Sequence, residues 1–321
     1  MSNINNWTFI DLFAGIGGFR QALQSYGAKC VFSSEIDKFC KQTYFNNYGD
    51  WPEGDITKID AECIPRHDIL CAGFPCQAFS ISGKQLGFDD ARGTLFFEII
   101  RIVKHHKSRI IFLENVANLA KHDNSNTVKL MIKLLEKEGY TVFIKELNAS
   151  DFGVSQSRKR LYFVCFRNDL NIKNFEFPKP LNKIVTIKDI LENENLTDKR
   201  FFIENKSFVL NKEKIVNLPT KKIVRIGTIN KGGQGDRIYD INGIGITLSA
   251  RGGGSASRTG AYYINGKIRK LTPRECARLQ GFPEDFKIDE NINQAYKQFG
   301  NSVAIPVLKE IIIKITKTLF N

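Results

Sequence analysis

A chain of 321 residues exceeds a usual single domain of roughly 100–200 residues, so one large domain plus a smaller one is expected. Its 42% hydrophobic and 25% charged residues are globular in balance, and no apolar run approaches the roughly 18 residues of a membrane span. The 47 Lys and Arg against 34 Asp and Glu, a formal charge of +13, favour a polyanionic partner such as nucleic acid, although a basic surface also serves solubility.

The N-terminal MSNINNWTFIDLF lacks the basic region, apolar stretch and cleavage site of a secretory signal, which places the expected location in the cytoplasm. The 7 cysteines are odd in number and none forms a C-x-x-C pair, so reduced thiols and no metal are expected.

In chain order, strands are expected near 7–13, 29–35, 68–73, 109–114, 140–148 and 161–166, with a short extra strand just before Asp55. Segments 17–26, 37–47, 93–105 and 126–138 have helical spacing of apolar residues, as in LMIKLLEKEGY. This alternation predicts an α/β fold, a doubly wound and mostly parallel sheet covered by helices on both faces. Beyond about residue 168 the pattern breaks: 171–222 is rich in Asn and Lys, and 227–266 sets the glycine clusters KGGQGD, NGIG and RGGGSASRTG between short β-like runs. That stretch reads as a smaller β-rich module. A helix resumes at TPRECARLQGF, with Thr272 as N-cap and Pro273 at the first helical position, and Val303–Leu319 supplies a final amphipathic helix returning to the sheet.

Ligands of open α/β sheets bind beyond the carboxyl ends of the strands. The first such turn here is DLFAGIGG, with Phe13, Gly15 and Gly17, but Arg20 stands where the dinucleotide fingerprint G-x-G-x-x-G needs its third glycine. The second strand ends in Glu35, suited to ribose hydroxyls, and Asp55 could hold an adenine amino group. Each feature alone could merely shape the fold; their order together points to an adenosine ligand without a pyrophosphate.

Further strand ends lead into Gly73-Phe74-Pro75-Cys76, Glu114-Asn115-Val116 and, in the loop before the last strand, QSRKR with Arg158 and Arg160. A lone cysteine is more often a buried apolar group than a nucleophile, and a strand-end acid or a loop cation is ordinary. A thiol, a carboxyl and a guanidinium on one rim, however, suit a pocket that grips a base by its Watson–Crick edge.

The blocks DLFAGIGG, GFPCQAFSISG, ENV, QSRKR, RKLTPRECARLQGFP and QFGNSV resemble, in the same order and across nearly the whole chain, the motif series of the DNA (cytosine-5) methyltransferases. The resemblance implies the S-adenosylmethionine-dependent methyltransferase fold with a target-recognition domain. It implies a catalytic and cofactor-binding domain at 1–187, target recognition at 188–271, a hinge at 272–300 and a returning helix at 301–321. S-adenosylmethionine would be the cofactor, S-adenosylhomocysteine the product, and no metal would take part. Cys76 would be the nucleophile on carbon 6 of cytosine, Glu114 would hold N3 and the exocyclic amine, and Arg160, supported by Arg158, would contact O2. The cofactor site would be lined by Phe13, Gly15, Gly17, Glu35, Ile36, Asp55, Ile56, Gly73, Pro75, Leu95, Asn301 and Ser302, with Phe13 packing on the adenine.

Because a stacked cytosine exposes neither face, the base would be flipped from duplex DNA. Ser80–Thr94 resembles the family's mobile loop, with Ser80, Ser82, Lys84 and Arg92 as DNA contacts. Ser82 and Gln234 would fill the vacated space, and Arg237, Thr247, Ser249 and Arg251 would read the sequence. Ile36 stands where a member of the family has tryptophan, and Arg251 where it has tyrosine. Retained QGDR and TLS blocks imply the site GCGC, in a restriction–modification setting with a cognate endonuclease that forms no stable complex and a monomeric enzyme. The weighed alternatives are a tRNA cytosine-5 methyltransferase of the same superfamily, a catalytically inactive DNA-binding relative and, more remotely, a nucleotide-binding oxidoreductase.

Overall fold

In the computed structural model, which describes residues 4–75, 95–204, 207–230 and 232–320, the apolar runs of the first half become one sheet. Its strands are β1 (Thr8–Leu12), β2 (Lys29–Ser34), β3 (Ile69–Gly73), β4 (Ile110–Val116), β5 (Tyr140–Asn148) and β6 (Lys159–Arg167). They lie in the order β2-β1-β3-β4-β6-β5. β2, β1, β3 and β4 run parallel, whereas β6 is antiparallel to β4. That reversal brings the start of β6 to the carboxyl ends of the parallel strands.

Central strands buried on both faces are near-continuous apolar runs rather than alternating ones. Ile10, Leu12, Leu70, Ala72, Ile111 and Leu113 are at most marginally exposed and form one core with Phe96, Ile99, Ile102 and Val103. Full burial of each such large side chain contributes about 1.5–3 kcal/mol relative to exposure. The helices are α1 (Gly18–Gln24), α2 (Lys38–Tyr48), α3 (Leu95–His106) and α4 (Asn126–Lys137). Asp37 caps α2 by accepting from the backbone N–H groups of Phe39 at 2.9 Å and Cys40 at 3.3 Å.

The short strand expected before Asp55 is reduced to a single parallel bridge between Ser34 and Glu53. Pro52 and Gly54 flank Glu53, and neither residue favours a continuing ladder. Consequently the strand leading to Cys76 is the third and not the fourth. Arg160, expected in a loop, already lies within β6.

The chain divides into two units, one of residues 1–147, 159–178 and 308–321, the other of 148–158 and 179–307. The second unit contains β7 (Phe208–Leu210), β8 (Arg225–Ile229), β9 (Arg237–Asp240), β10 (Ala261–Ile264) and β11 (Lys267–Lys270), in the order β11-β10-β9-β8-β7. Ile226, Ile229, Ile238, Ala256, Ala261 and Ile268 form its small core. It also holds α5 (Pro273–Gln280) and α6 (Ile292–Asn301). Thr272 and Glu275 form the expected cap as a complete capping box, with Pro273 in the first turn. The final helix, α7, spans Ile305–Phe320.

α6 was not expected. Its start is marked by Asn291, whose side chain accepts from Asn293 N at 3.0 Å and Gln294 N at 3.3 Å, the ordinary sequence signal for an N-cap.

Candidate active site

The turn after β1 alternates into the left-handed region at Phe13 (φ 56°), Gly15 (φ 56°) and Gly17 (φ 82°). For Phe13 this is uncommon geometry in a residue with a side chain, while the glycines adopt it without steric penalty. The turn is tied to β2 by Ala14 N–H donating to the Ser34 carbonyl at 2.9 Å. Gly15 N–H donates to Glu35 Oε2 at 2.7 Å, and Asp37 N–H to Glu35 Oε1 at 2.8 Å. Burial pushes the Glu35 carboxyl up, while the backbone N–H groups of Asp37, Gly15 and Ile36 pull it down.

A carboxylate thus takes the turn's N–H, the group that would otherwise greet a phosphate. A carboxylate there can accept from ribose hydroxyls and disfavours a pyrophosphate. Phe13 packs partly against the main core, and Ile36 is 75% exposed at the mouth of the same region. Asp55 is partly exposed; its Oδ1 accepts from Thr57 N at 3.1 Å and Thr57 Oγ1 at 2.8 Å, and these bonds hold its carboxyl below the usual range. Ile56 buries its side chain in the core. Beneath the turn, Asp11 is 1% exposed; burial drives its carboxyl well above the usual range against the pull of the Arg20 backbone N–H and guanidinium.

At the next strand ends, Gly73 on β3 is the register partner of Glu114 on β4. Glu114 is 7% exposed and pairs with Arg160, Oε1 to Nε at 3.1 Å. Arg160 NH1 also donates to the Lys159 carbonyl at 2.8 Å, which fixes the plane of the guanidinium. Asn115, in sequence only the middle residue of the ENV block, organises this end: its Nδ2 donates to the Phe74 carbonyl at 2.9 Å, and its Oδ1 accepts from Val116 N at 2.8 Å. Phe74 packs at 5.7 Å against the ring of Phe96 in α3. The backbone leading toward Cys76 is therefore held at Phe74. Cys76, Ser80, Ser82, Lys84 and Arg92 lie outside the described residues. Leu95 opens α3 and is partly buried.

Within the second unit, Arg158 is 2% exposed and donates to the carbonyls of Leu248 at 3.4 Å, Gly300 at 3.2 Å and Ser302. Gln156, fully buried, bridges Leu279 O at 3.0 Å and Leu248 N at 3.0 Å. The QSRKR block therefore sends Arg160 to the Glu114 end while Gln156 and Arg158 anchor backbone around 248 and 300–302. Asn301 is exposed at the end of α6, and Ser302 caps that helix.

Of the residues expected to read DNA, Gln234, Thr247, Ser249 and Arg251 fall outside the strands of this unit and Arg237 within one. Thr247 Oγ1 donates to the Ser157 carbonyl, and Ser249 Oγ to that of Arg251, whose side chain is exposed. Arg237 begins β9, and Gln234 lies in the turn before it. The two loops interlock, since Ala256 N–H donates to Gly235 O at 2.9 Å and Ser255 N–H to Asp236 Oδ1 at 3.0 Å. A Cβ on Gly235 would collide with the carbonyl of Gly253, so only glycine fits there. Among the described residues no cluster of His, Cys, Asp or Glu could hold a metal ion, and no helix is long and apolar enough to cross a membrane.

A sheet whose first turn is closed by a carboxylate, and whose later strand ends present an acid against a guanidinium, belongs to a nucleoside-dependent transferase more readily than to a dinucleotide oxidoreductase. The family model of the C-5 cytosine-specific DNA methylases matches residues 7–317. The chain belongs to that family and is a cytosine-5 DNA methyltransferase. It is similar to the type II methyltransferase M.HhaI of Haemophilus parahaemolyticus, 53% identical over 311 residues that cover 97% of this chain and 94% of the relative. The type II methyltransferase M.HpaII of Haemophilus parainfluenzae is 43% identical, with 98% of this chain and 90% of the relative covered. Among solved structures, the Dnmt2 methyltransferase of S. pombe shares the fold at a TM-score of 0.73 and 20% identity, covering 98% of this chain and 100% of that one. The family uses S-adenosylmethionine.

Proposed function

We propose that this methyltransferase modifies carbon 5 of the inner cytosine of GCGC in duplex DNA, using S-adenosylmethionine, as the modification partner of a restriction endonuclease. The Glu114–Arg160 pair carries the reading: one carboxyl and one guanidinium stand at neighbouring strand ends, on the rim where Asn115 holds the Phe74 carbonyl ahead of Cys76. Residues 188–271 would read the target, with Gln234, Arg237, Thr247, Ser249 and Arg251 supplying contacts. Exposed Arg251 can reach a guanine edge or a phosphate. The enzyme works as a cytoplasmic monomer without a metal and without a stable complex with the endonuclease.

Phe13, Ile36 and Asp55 would hold the adenine, Glu35 the ribose, and Gly73, Pro75, Leu95, Asn301 and Ser302 the remainder of the cofactor. When bound, S-adenosylmethionine supplies an electrophilic methyl group and departs as S-adenosylhomocysteine. This chain's residues prepare the cytosine. The Cys76 thiolate forms a bond to carbon 6, the carbon 5–carbon 6 π pair moves onto carbon 5, and Glu114 steadies the charge by protonating N3. Arg160 fixes O2 so that the ring presents carbon 6 to the thiol. Once carbon 5 carries its methyl group, a base takes the carbon 5 proton, the freed electron pair restores the carbon 5–carbon 6 double bond as the sulfur leaves as thiolate, and the N3 proton returns to Glu114. Ser82 and Gln234 would occupy the gap in the duplex, with Ser80, Lys84 and Arg92 on its backbone.

The test is incubation of the purified chain with plasmid DNA and S-adenosylmethionine, followed by base-resolution mapping of 5-methylcytosine. Methylation confined to the inner cytosine of GCGC is expected; methylation at another motif would remove the GCGC assignment, and methylation of tRNA alone would remove the duplex reading. Cys76→Ala should abolish transfer while DNA binding persists.

A further inference from the structure

The turn Phe13–Gly18 is gripped from a second direction by a residue with no place in the chemistry above. Tyr48, the last residue of α2, places its hydroxyl 3.0 Å from the carbonyl of Gly17, 3.4 Å from that of Ile16 and 3.2 Å from Gln21 Oε1. Its ring fills the space beside Gly17 where any Cβ would collide with it. A hydroxyl donor and a flat ring together fix both the direction and the depth of the turn.

The tyrosine is itself braced. The Arg20 guanidinium lies 4.6 Å from the centroid of the Tyr48 ring and 5.2 Å from that of Tyr44. Arg20 donates from NH1 to Tyr44 Oη at 3.2 Å, from Nε to Gln24 Oε1 at 3.1 Å, and from NH2 to Asp50. It is only 5% exposed. Gly49, left-handed at φ 74°, folds the chain back after α2 so that Asp50 reaches Arg20. With the guanidinium pinned by three side chains and stacked on the ring, Tyr48 has no room to swing away from Gly17.

The turn needs such support. Left-handed backbone at a residue with a side chain costs about 1–2 kcal/mol, and Phe13 persists in it because its surroundings impose it. The Glu35 bond to Gly15 N–H secures one side and Tyr48 the other. Holding a binding loop in its bound shape beforehand removes an ordering cost from the binding step and so raises affinity without adding a contact.

We propose that Tyr48, braced by Arg20 and Asp50, is a positioning residue that keeps the Phe13–Gly18 turn in its cofactor-receiving conformation. This rests on the assignment of that turn to S-adenosylmethionine. Tyr48 itself acts through the Gly17 backbone.

The test uses the full chain and Tyr48→Phe, which keeps the ring and deletes the hydroxyl, with Asp50→Asn as a second variant. Calorimetric titration with S-adenosylhomocysteine should show a dissociation constant raised about fivefold in Tyr48→Phe, the worth of one net hydrogen bond. The KM for S-adenosylmethionine should rise by the same factor, while kcat at saturating cofactor and the KM for duplex DNA stay at the wild-type values. Asp50→Asn should shift affinity in the same direction by a smaller factor. A Tyr48→Phe protein that melts normally and binds within twofold of wild type overturns the proposal, as does a fall in kcat with KM unchanged. If Tyr48→Phe does not fold, unchanged affinity in Asp50→Asn overturns it. Absence of S-adenosylhomocysteine binding by the unaltered chain would sink the cofactor assignment itself, an outcome distinct from equal binding by wild type and variant.

Discussion

Arg160 and Glu114 meet on a diagonal of the sheet: Arg160 is the register partner of Val116 and Glu114 that of Tyr162, yet the guanidinium Nε lies 3.1 Å from the carboxylate. Two groups that would each be costly to bury alone thereby compensate one another at the strand ends.

Glu114→Gln keeps the shape and removes the proton. Single-turnover methyl transfer on duplex DNA should slow by about 10²-fold or more, the usual worth of a positioned acid, while DNA affinity measured by fluorescence anisotropy holds. A rate within threefold of wild type would take Glu114 out of the chemistry.

Asn115→Ala leaves the Phe74 carbonyl, in a residue 5% exposed, without its donor. A buried acceptor stripped of its partner costs about 1–3 kcal/mol, which should appear as a lower urea midpoint. Because the same bond holds the approach to Cys76, turnover should also fall, by about tenfold for roughly 1.4 kcal/mol of lost positioning. Full activity in a destabilised protein would confine Asn115 to a structural role.

Arg269 and Glu275 form a two-pronged pair at 2.6 and 2.7 Å, 1% and 0% exposed, in the second unit. Glu275 also accepts from the backbone N–H of Thr272 at 2.8 Å and of Glu192 at 2.8 Å. Removing one partner of a buried pair costs about 3–5 kcal/mol, so Glu275→Ala should lower the thermal midpoint sharply. Replacing both residues with apolar side chains should recover much of that loss.

His67 is buried with Nε2 2.8 Å from Ser108 Oγ and Nδ1 2.8 Å from the Pro65 carbonyl, and burial lowers its pKa to about 4. Unfolded, it titrates near the ordinary histidine value of about 6.5. The unfolded chain therefore binds the extra proton between these values, so this residue's contribution is complete above about pH 6.5 and is lost as pH falls toward 4. Urea unfolding from pH 7 to pH 4 should show a steeper loss in wild type than in His67→Gln; parallel slopes would remove His67 as the source.

Most of the first sheet was legible in the sequence because strands buried on both faces leave long apolar runs, and the start of α5 because Thr272 and Pro273 mark it in ways that local chemistry dictates. What escaped depends on distant partners. Asn115 meets Phe74 across 41 positions and Tyr48 meets Gly17 across 31, separations that no periodicity displays. Arg158 and Arg160 stand two positions apart, Arg158 in the loop before β6 and Arg160 within that strand. The Arg158 guanidinium donates to backbone carbonyls at 248, 300 and 302, partners 90, 142 and 144 positions away that no local pattern displays. The extra strand before Asp55 shrank to one bridge because a proline and a glycine bracket its only pairing residue.

Residues 308–321 belong to the same unit as 1–147, and Ile311, Ile312 and Ile315 of α7 are buried there, with Phe320 edge-on to Trp7 at 5.9 Å. A ribosome must therefore deliver the whole intervening module before the sheet that bears Glu114 and Glu35 receives its closing helix. Until then an apolar surface stands open. An enzyme assembled in that order leaves the surface uncovered for as long as synthesis of residues 179–307 takes.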